Sequence, residues 1–183
     1  MARVRDIRPE ELPAELAAIY RRYAAEYGPF GNQVAVLAHV PEALRHLMPM
    51  LMELRAAGRV KRKHLELLIV VVSQLNACHY CVGHHKPFLE VEGMSSDGVD
   101  RVIGYADHPE LDAGDKLVVE YAIAAWNDPR KVSDALFARM KQQFSEAEIV
   151  ELTLRITLTG FFNRFTEALR IEEESADRRA AAE

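Results

Sequence analysis

One short segment of the sequence carries most of its reactive side chains. It contains two cysteines three residues apart, and a histidine follows the second cysteine by four: Cys78-His79-Tyr80-Cys81-Val82-Gly83-His84-His85. Residues at these spacings share one face of a helix. If a helix begins at Cys78, its unpaired N–H groups and its dipole favour the thiolate form of a cysteine. The pattern therefore predicts a reactive dithiol, with His85 placed to exchange a proton with the Cys81 sulfur.

Two other interpretations of the segment stay open at this point. Free cysteines are often inert residues of a core, and Cys78, Cys81 and either His84 or His85 could supply three ligands to zinc. A disulfide between the two cysteines would close a loop too short to stabilise the fold much. We therefore expect the pair to react rather than to hold the chain together. His79 and His84 are expected at the surface or at an interface.

Glu66 is a further candidate for chemistry. Its carboxylate lies between Leu65 and Leu67, immediately before an apolar run, so water or a polar partner must reach it. From spacing alone, Glu66 is either an exposed helix position or a functional carboxylate.

Helical periodicity extends along the chain and determines how these residues are positioned. Apolar side chains recur every three or four residues, and no turn-linked pair of strands is recognisable. We predict one helix over about residues 61–75 and another from Cys78 to about Glu92, which Gly93 ends. The fold class is thus all-α, with about eight helices in a single domain over residues 1–183. Other helix starts are predicted at Pro9, Pro41, Ser95 or Ser96, Asp112, Ser133 and Ser145, with a loop at Gly31-Asn32 and a frayed tail over 172–183.

Composition excludes several classes of function. Of the 183 residues, 49% are hydrophobic and 28% are charged, which fits one buried core and a soluble surface. A net charge of −5 argues against a nucleic-acid partner, which would require an excess of Lys and Arg. The apolar run over residues 67–72 is far shorter than the roughly 20 residues of a membrane span. With no apolar leader at the N-terminus, we expect a cytoplasmic protein that does not bind membranes.

A wider set of residues extends the pattern around the cysteines. Glu66 is followed after eleven residues by Cys78-His79-Tyr80-Cys81 and then by His85. Supporting stretches lie at 37–44, at 67–69 with 73–76, and at Asn163-Arg164-Phe165. Through these residues the chain resembles the carboxymuconolactone decarboxylase and AhpD-like alkylhydroperoxidase superfamily over about residues 30–170. The resemblance implies an all-helical AhpD-like domain whose subunits assemble as a homotrimer or homohexamer.

The resemblance also implies a function. In the peroxidase branch of the superfamily, the second cysteine attacks a hydroperoxide and the first resolves the resulting sulfenic acid to a disulfide. That assigns Cys81 as the peroxidatic thiol, Cys78 as the resolving thiol, and His85 with Glu66 as the proton relay. We expect an antioxidant, thiol-dependent peroxidase with peroxiredoxin-type activity and neither a metal nor an organic cofactor. Its partners would be a hydroperoxide substrate and an external dithiol or thioredoxin-like reductant.

Tyr80 departs from the best-studied peroxidase pattern, which has a second histidine at this position. A phenol with a pKa near 10 relays protons less readily than imidazole at neutral pH. Tyr80 is therefore a weaker relay candidate. The alternative function is a non-peroxidatic family member, either a decarboxylase or hydrolase of a cyclic organic acid or a redox-sensing binding protein. An enzyme of the first kind needs a cation in its pocket, for which Arg155 and Arg164 are candidates.

Overall fold

The computed structural model describes residues 2–174. Within this range the chain forms nine α-helices and no strand, and eight of these helices have seven residues or more. The all-α prediction is confirmed. None of the described helices has the length and apolar character needed to cross a bilayer. The α-helices are α1 (Ala14–Glu26), α2 (Gly31–Leu37), α3 (Pro41–Ala57), α4 (Arg62–Leu75), α5 (His79–Val91), α6 (Ser96–Asp100), α7 (Ala113–Asn127), α8 (Asp134–Gln143) and α9 (Glu146–Leu169).

The described residues fall into two compact units. The first contains α1, α2 and α3 together with the residues from Thr166 onward, and the second runs from Arg59 to Phe165. All the cysteines and the candidate residues around them belong to the second unit. The single-domain organisation stays a prediction.

Three local predictions differ from the structure. Pro9–Glu11 forms an isolated 3-10 turn rather than the start of α1, which begins at Ala14. Gly31 and Asn32 open α2 instead of forming a loop, because the apolar side chains of residues 34–37 are buried and packing outweighs the weak local preference. The predicted helix through Tyr105 ends at Asp100, and a 3-10 segment with non-helical Gly104 follows.

The segment predicted as a frayed tail begins with two hydrogen bonds to α2. The side-chain amide of Asn32 donates to the backbone oxygen of Glu172 at 2.9 Å, and the backbone N–H of Asn32 donates to the Glu174 carboxylate at 2.8 Å. Both bonds join Asn32 to the segment 172–174, and the frayed tail over 172–183 stays a prediction. Residues 175–183 lie outside the described part of the chain.

The core of the Arg59–Phe165 unit is built on α4, which packs against α5 and α7. Leu67, Leu68 and the three valines 70–72 are completely buried. β-branched residues in series favour a strand when considered alone. Burial of each such side chain contributes about 1.5–3 kcal/mol, which exceeds the loss in helix propensity of about 0.5 kcal/mol per residue. The helical prediction for this run is therefore correct.

Candidate functional site

The turn between α4 and α5 fixes the position of Cys78. Ala77 has a φ of +51°, in the left-handed region. Its N–H donates to the Gln74 oxygen at 3.0 Å, and the N–H of Cys78 donates to the Ser73 oxygen at 2.9 Å. Together these two bonds define a Schellman motif at the end of α4. Glycine is the usual residue at the left-handed position, and alanine there costs about 1 kcal/mol.

Cys78 is also the N-cap of α5. The same residue therefore makes the last backbone bond of the motif that ends α4 and begins α5. Its Sγ accepts a hydrogen bond from the N–H of Cys81 at 3.4 Å. The sulfur atoms of Cys78 and Cys81 are 2.6 Å apart. Cys78 is 0% exposed and Cys81 is 5% exposed. The predicted helix start at the cysteine pair is confirmed, and the two sulfurs are close enough to exchange a bond with little movement.

Glu66 and His85 form a direct pair between α4 and α5. Nδ1 of His85 lies 2.7 Å from Oε2 of Glu66, and the two side chains are only 14% and 11% exposed. An ionised carboxylate can only accept hydrogen bonds, so Nδ1 carries the hydrogen of this bond. Proton exchange with a reacting group is then left to Nε2. Because His85 follows Cys81 by one helical turn, it shares the face of α5 that carries this sulfur.

Arg62 and Phe88 border the Glu66–His85 pair. Nε of Arg62 is 3.9 Å from Oε1 of Glu66, and its guanidinium lies 4.8 Å from the centre of the Phe88 ring. Phe88 in turn meets the imidazole of His85 edge-on, with the ring centres 5.9 Å apart. These contacts restrict the orientations open to both members of the pair.

Tyr80 and His84 form a second pair on α5. Their rings stack with centres 4.1 Å apart, and Nδ1 of His84 donates to the backbone oxygen of Tyr80 at 2.7 Å. Both residues are buried, with 3% and 4% of their surface exposed. His84 was predicted at the surface or at an interface, and its ring is instead buried within the chain beside Tyr80. His79 is exposed, as predicted.

A chain of hydrogen-bonded polar side chains lies beside the turn between α4 and α5, which we call the cysteine turn. The sequence predicts no role for it. Nε1 of Trp126 donates to Oδ1 of Asn76 at 3.2 Å, and Nδ2 of Asn76 donates to Oδ1 of Asn163 at 2.8 Å. Nδ2 of Asn163 then donates to Oγ of Ser73 at 3.1 Å. Asn163 is 1% exposed and Ser73 is fully buried. The signal available in the sequence was an amide within an apolar helix, since a buried amide requires partners.

The two arginines of α9 that are candidate substrate-binding cations both have partners within the chain. Nη2 of Arg155 is 3.6 Å from Oε1 of Glu151, one turn earlier on the same helix. The guanidinium of Arg164 lies 4.5 Å from the centre of the Trp126 ring.

Among the described residues, no three His, Cys, Asp or Glu side chains are arranged to hold a metal ion. This includes the set considered from the sequence, in which Cys78, Cys81 and a neighbouring histidine would bind zinc.

Comparison with solved structures shows which class of protein has this fold. The chain superimposes on the alkylhydroperoxidase AhpD core of a peroxidase-related protein from Ralstonia eutropha with a TM-score of 0.76 and 18% identity, covering 97% of this chain and 94% of that one. It superimposes equally well on the debrominase Bmp8, with a TM-score of 0.76 and 16% identity over 97% and 94% of the two chains. At these identities the likeness establishes the AhpD-like helical fold.

Sequence comparison finds a family match over part of the chain. Residues 41–107, which include Glu66, both cysteines and His85, match the model of the carboxymuconolactone decarboxylase family. This segment is therefore similar to the carboxymuconolactone decarboxylase family, and the chain as a whole has the fold of AhpD-like proteins. It is 31% identical over 100 residues to the uncharacterized protein YnjA of Escherichia coli, and this match covers 55% of each protein. The match therefore spans about half the length of that relative.

Proposed function

We propose that this protein is a thiol-dependent peroxidase that reduces hydroperoxides through a Cys78–Cys81 disulfide cycle. The observation that carries the proposal is the juxtaposition of two cysteines at the first turn of α5, with their sulfurs 2.6 Å apart. The Glu66–His85 pair, one helical turn beyond Cys81, adds a group suited to proton transfer. A dithiol that closes and reopens needs neither a metal nor an organic cofactor.

In the first step Cys81 is the nucleophile. Nε2 of His85 takes the proton of the Cys81 thiol, and the resulting thiolate attacks the hydroperoxide, so that an S–O bond forms and the O–O bond breaks. The leaving alkoxide takes a proton from Nε2 of His85 and departs as the alcohol, and Cys81 is left as a sulfenic acid. Glu66 holds the imidazole in the orientation and tautomer that this transfer requires. Tyr80 is a secondary proton relay in this scheme.

In the second step Cys78 resolves the sulfenic acid. The Cys78 thiol loses its proton as its sulfur attacks the Cys81 sulfur. An S–S bond forms, the S–O bond breaks, and the hydroxide takes that proton and leaves as water. An external dithiol or a thioredoxin-like protein then reduces the disulfide. That reductant gives up two electrons and two protons and becomes a disulfide itself.

An assembly of identical subunits, either a homotrimer or a homohexamer, forms part of the proposal. Val150, Leu154 and Phe161 of α9 are 67%, 36% and 46% exposed, and their spacing places them on one face of the helix. Exposed apolar side chains grouped in this way are typical of protein contacts. We place the protein in the cytoplasm, where reducing partners are available, and give it no nucleic-acid or membrane partner.

The alternative function is that of a non-peroxidatic relative, which acts on a cyclic organic acid or serves as a redox-sensing binding protein. The contacts of Arg155 with Glu151 and of Arg164 with Trp126 weaken the first version, because both cations already have partners. The redox sensor would use the same thiols without rapid turnover.

A thiol count tests the proposal directly. One equivalent of cumene hydroperoxide is added to the reduced protein, and thiols are counted after denaturation while the alcohol is quantified by chromatography. We expect two thiols lost and one alcohol formed per chain, within seconds. Since Bmp8 shares the fold and is a debrominase, a brominated pyrrole is assayed in parallel. Retention of both thiols after an hour with peroxide would refute the peroxidase assignment.

A further inference from the structure

The hydrogen-bond chain behind the cysteine turn has only one chemically allowed direction. An indole N–H can donate but cannot accept. Since Trp126 donates to Asn76, the side-chain oxygen of Asn76 must face Trp126 and its NH₂ must face Asn163. The oxygen of Asn163 must then face Asn76, and its own NH₂ must face the Ser73 hydroxyl. The direction of every bond in the chain thus follows from the indole alone.

Asn163 joins two residues of the same Schellman motif. Asn76 is the C-cap residue of α4, and Ser73 is the residue whose backbone oxygen accepts the N–H of Cys78. The single amide of Asn163 bonds to both, with Oδ1 at 2.8 Å from Asn76 Nδ2 and Nδ2 at 3.1 Å from Ser73 Oγ. It therefore bridges the two ends of the turn that contains left-handed Ala77, and it does so from a separate helix.

We propose that Asn163 and Asn76 are positioning residues for the cysteine pair: their amide chain holds the turn closed and keeps the Cys78 sulfur against the Cys81 sulfur. This inference rests on the disulfide cycle proposed above and concerns the equilibrium of that cycle. A closed turn keeps the effective concentration of one thiol beside the other high, which favours the disulfide. Loosening the turn lowers that concentration, so the disulfide becomes easier to reduce.

The test measures the equilibrium between the protein dithiol and glutathione disulfide. In this exchange the protein forms its S–S bond, and one glutathione disulfide is reduced to two glutathione thiols. Asn163→Leu keeps the volume of the side chain and removes both bonds. We expect its equilibrium constant for disulfide formation to fall about tenfold, the size expected for two neutral hydrogen bonds. This corresponds to a reduction potential about 30 mV higher.

Thr159→Val is the matched control. Thr159 lies one turn earlier on α9, is 7% exposed, and its hydroxyl bonds only to the Arg155 oxygen of its own helix among the contacts described. We expect its equilibrium constant to stay within about twofold of the wild type, even if the free energy of unfolding falls by the modest amount typical of one hydrogen bond. Asn76→Ala, which changes a half-buried turn residue, is the second variant, and it carries the test alone if Asn163→Leu does not fold.

The outcomes separate this inference from the proposed function. If the wild-type protein forms no disulfide in any glutathione buffer, the disulfide cycle is wrong and the positioning role falls with it. If the wild type cycles but Asn163→Leu and Asn76→Ala have its equilibrium constant, the cycle stands and the positioning role is wrong. A shift in both variants that is absent from Thr159→Val supports the role, because loss of stability alone would move the control as well.

Discussion

Nδ1 of His85 lies 2.7 Å from a carboxylate oxygen of Glu66, although the two residues are on different helices. The carboxylate fixes the tautomer of the imidazole, and α5 carries that imidazole one turn beyond Cys81. The pair thereby connects the interior of α4 to the face of α5 on which the nucleophilic sulfur is proposed to lie.

The first prediction concerns this pair. Replacing His85 with Ala should slow the first reaction with hydroperoxide by roughly 10²–10⁴-fold, as is typical when a positioned acid–base group is lost. Glu66→Gln should slow it less, because Glu66 acts through His85. Stopped-flow measurement of sulfenic acid formation checks both. Glu90→Gln, at an exposed position of α5, is the control and should react at the wild-type rate. If His85→Ala also forms sulfenic acid at the wild-type rate, His85 takes no part in the chemistry.

The second prediction separates the roles of the two cysteines. Cys81→Ser should abolish the reaction with hydroperoxide, since the proposed nucleophile is gone. Cys78→Ser should react once and stop at a sulfenic acid on Cys81, which a dimedone probe labels and mass spectrometry locates. The assignment is reversed if Cys78→Ser is inert and Cys81→Ser still consumes peroxide.

The cysteine pair and its helix start could be predicted because they depend on local spacing. The pairing of Glu66 with His85 could be expected from the family resemblance, and two adjacent helices place the two side chains together. Asn163 could not be assigned in the same way, because its bonds join residues 87 and 90 positions apart in the sequence and depend on how α9 packs. His84 was misplaced because spacing along a helix does not show burial: its ring is 4% exposed and stacks on Tyr80.

The third prediction concerns stability at low pH. Burial alone would raise the pKa of Asp115, but hydrogen bonds from His64 and Lys63 outweigh it and hold that pKa at about 2, below the usual 3.8. A pKa lowered by folding stabilises the protein above pH 4, and this stabilisation is lost as the pH falls through about 2. The contribution is about 2 kcal/mol.

Asp115→Asn should therefore unfold more easily at pH 7 and lose less stability than the wild type between pH 5 and pH 2. Urea denaturation at a series of pH values checks this, with Asp107→Asn, an exposed position, as the control. Equal slopes of stability against pH for wild type and Asp115→Asn would contradict the prediction.

The fourth prediction concerns the contact between Gly160 and Trp126. A Cβ added at Gly160 would overlap the indole ring of Trp126. Gly160→Ala should therefore lower the free energy of unfolding by about 1–3 kcal/mol. It should also raise the reduction potential of the cysteine pair, because the displaced indole no longer donates to Asn76. Gly104→Ala, where the added atom meets open space, should change neither quantity, and a Gly160→Ala variant as stable as Gly104→Ala would argue against the contact.

The fifth prediction concerns assembly. Light scattering should give three or six times the chain mass of 20.7 kDa. Phe161→Glu, which places a charge in the exposed apolar face of α9, should lower that mass, whereas Gln142→Glu on exposed α8 should not. A wild-type protein that stays a monomer at micromolar concentration would contradict the proposed assembly.

Cys78 has two structural roles: its N–H completes the Schellman motif at the end of α4, and its side chain caps the start of α5. No residue between α4 and α5 can therefore be added or removed without the loss of one role. An insertion of one residue between Asn76 and Cys78 would either break the Schellman motif or remove the cysteine from the N-cap, and a deletion would do the same. The spacing from Glu66 to Cys78 is therefore fixed by geometry as firmly as the identity of the two thiols. Length variation in this protein should be confined to segments that do not lie between them.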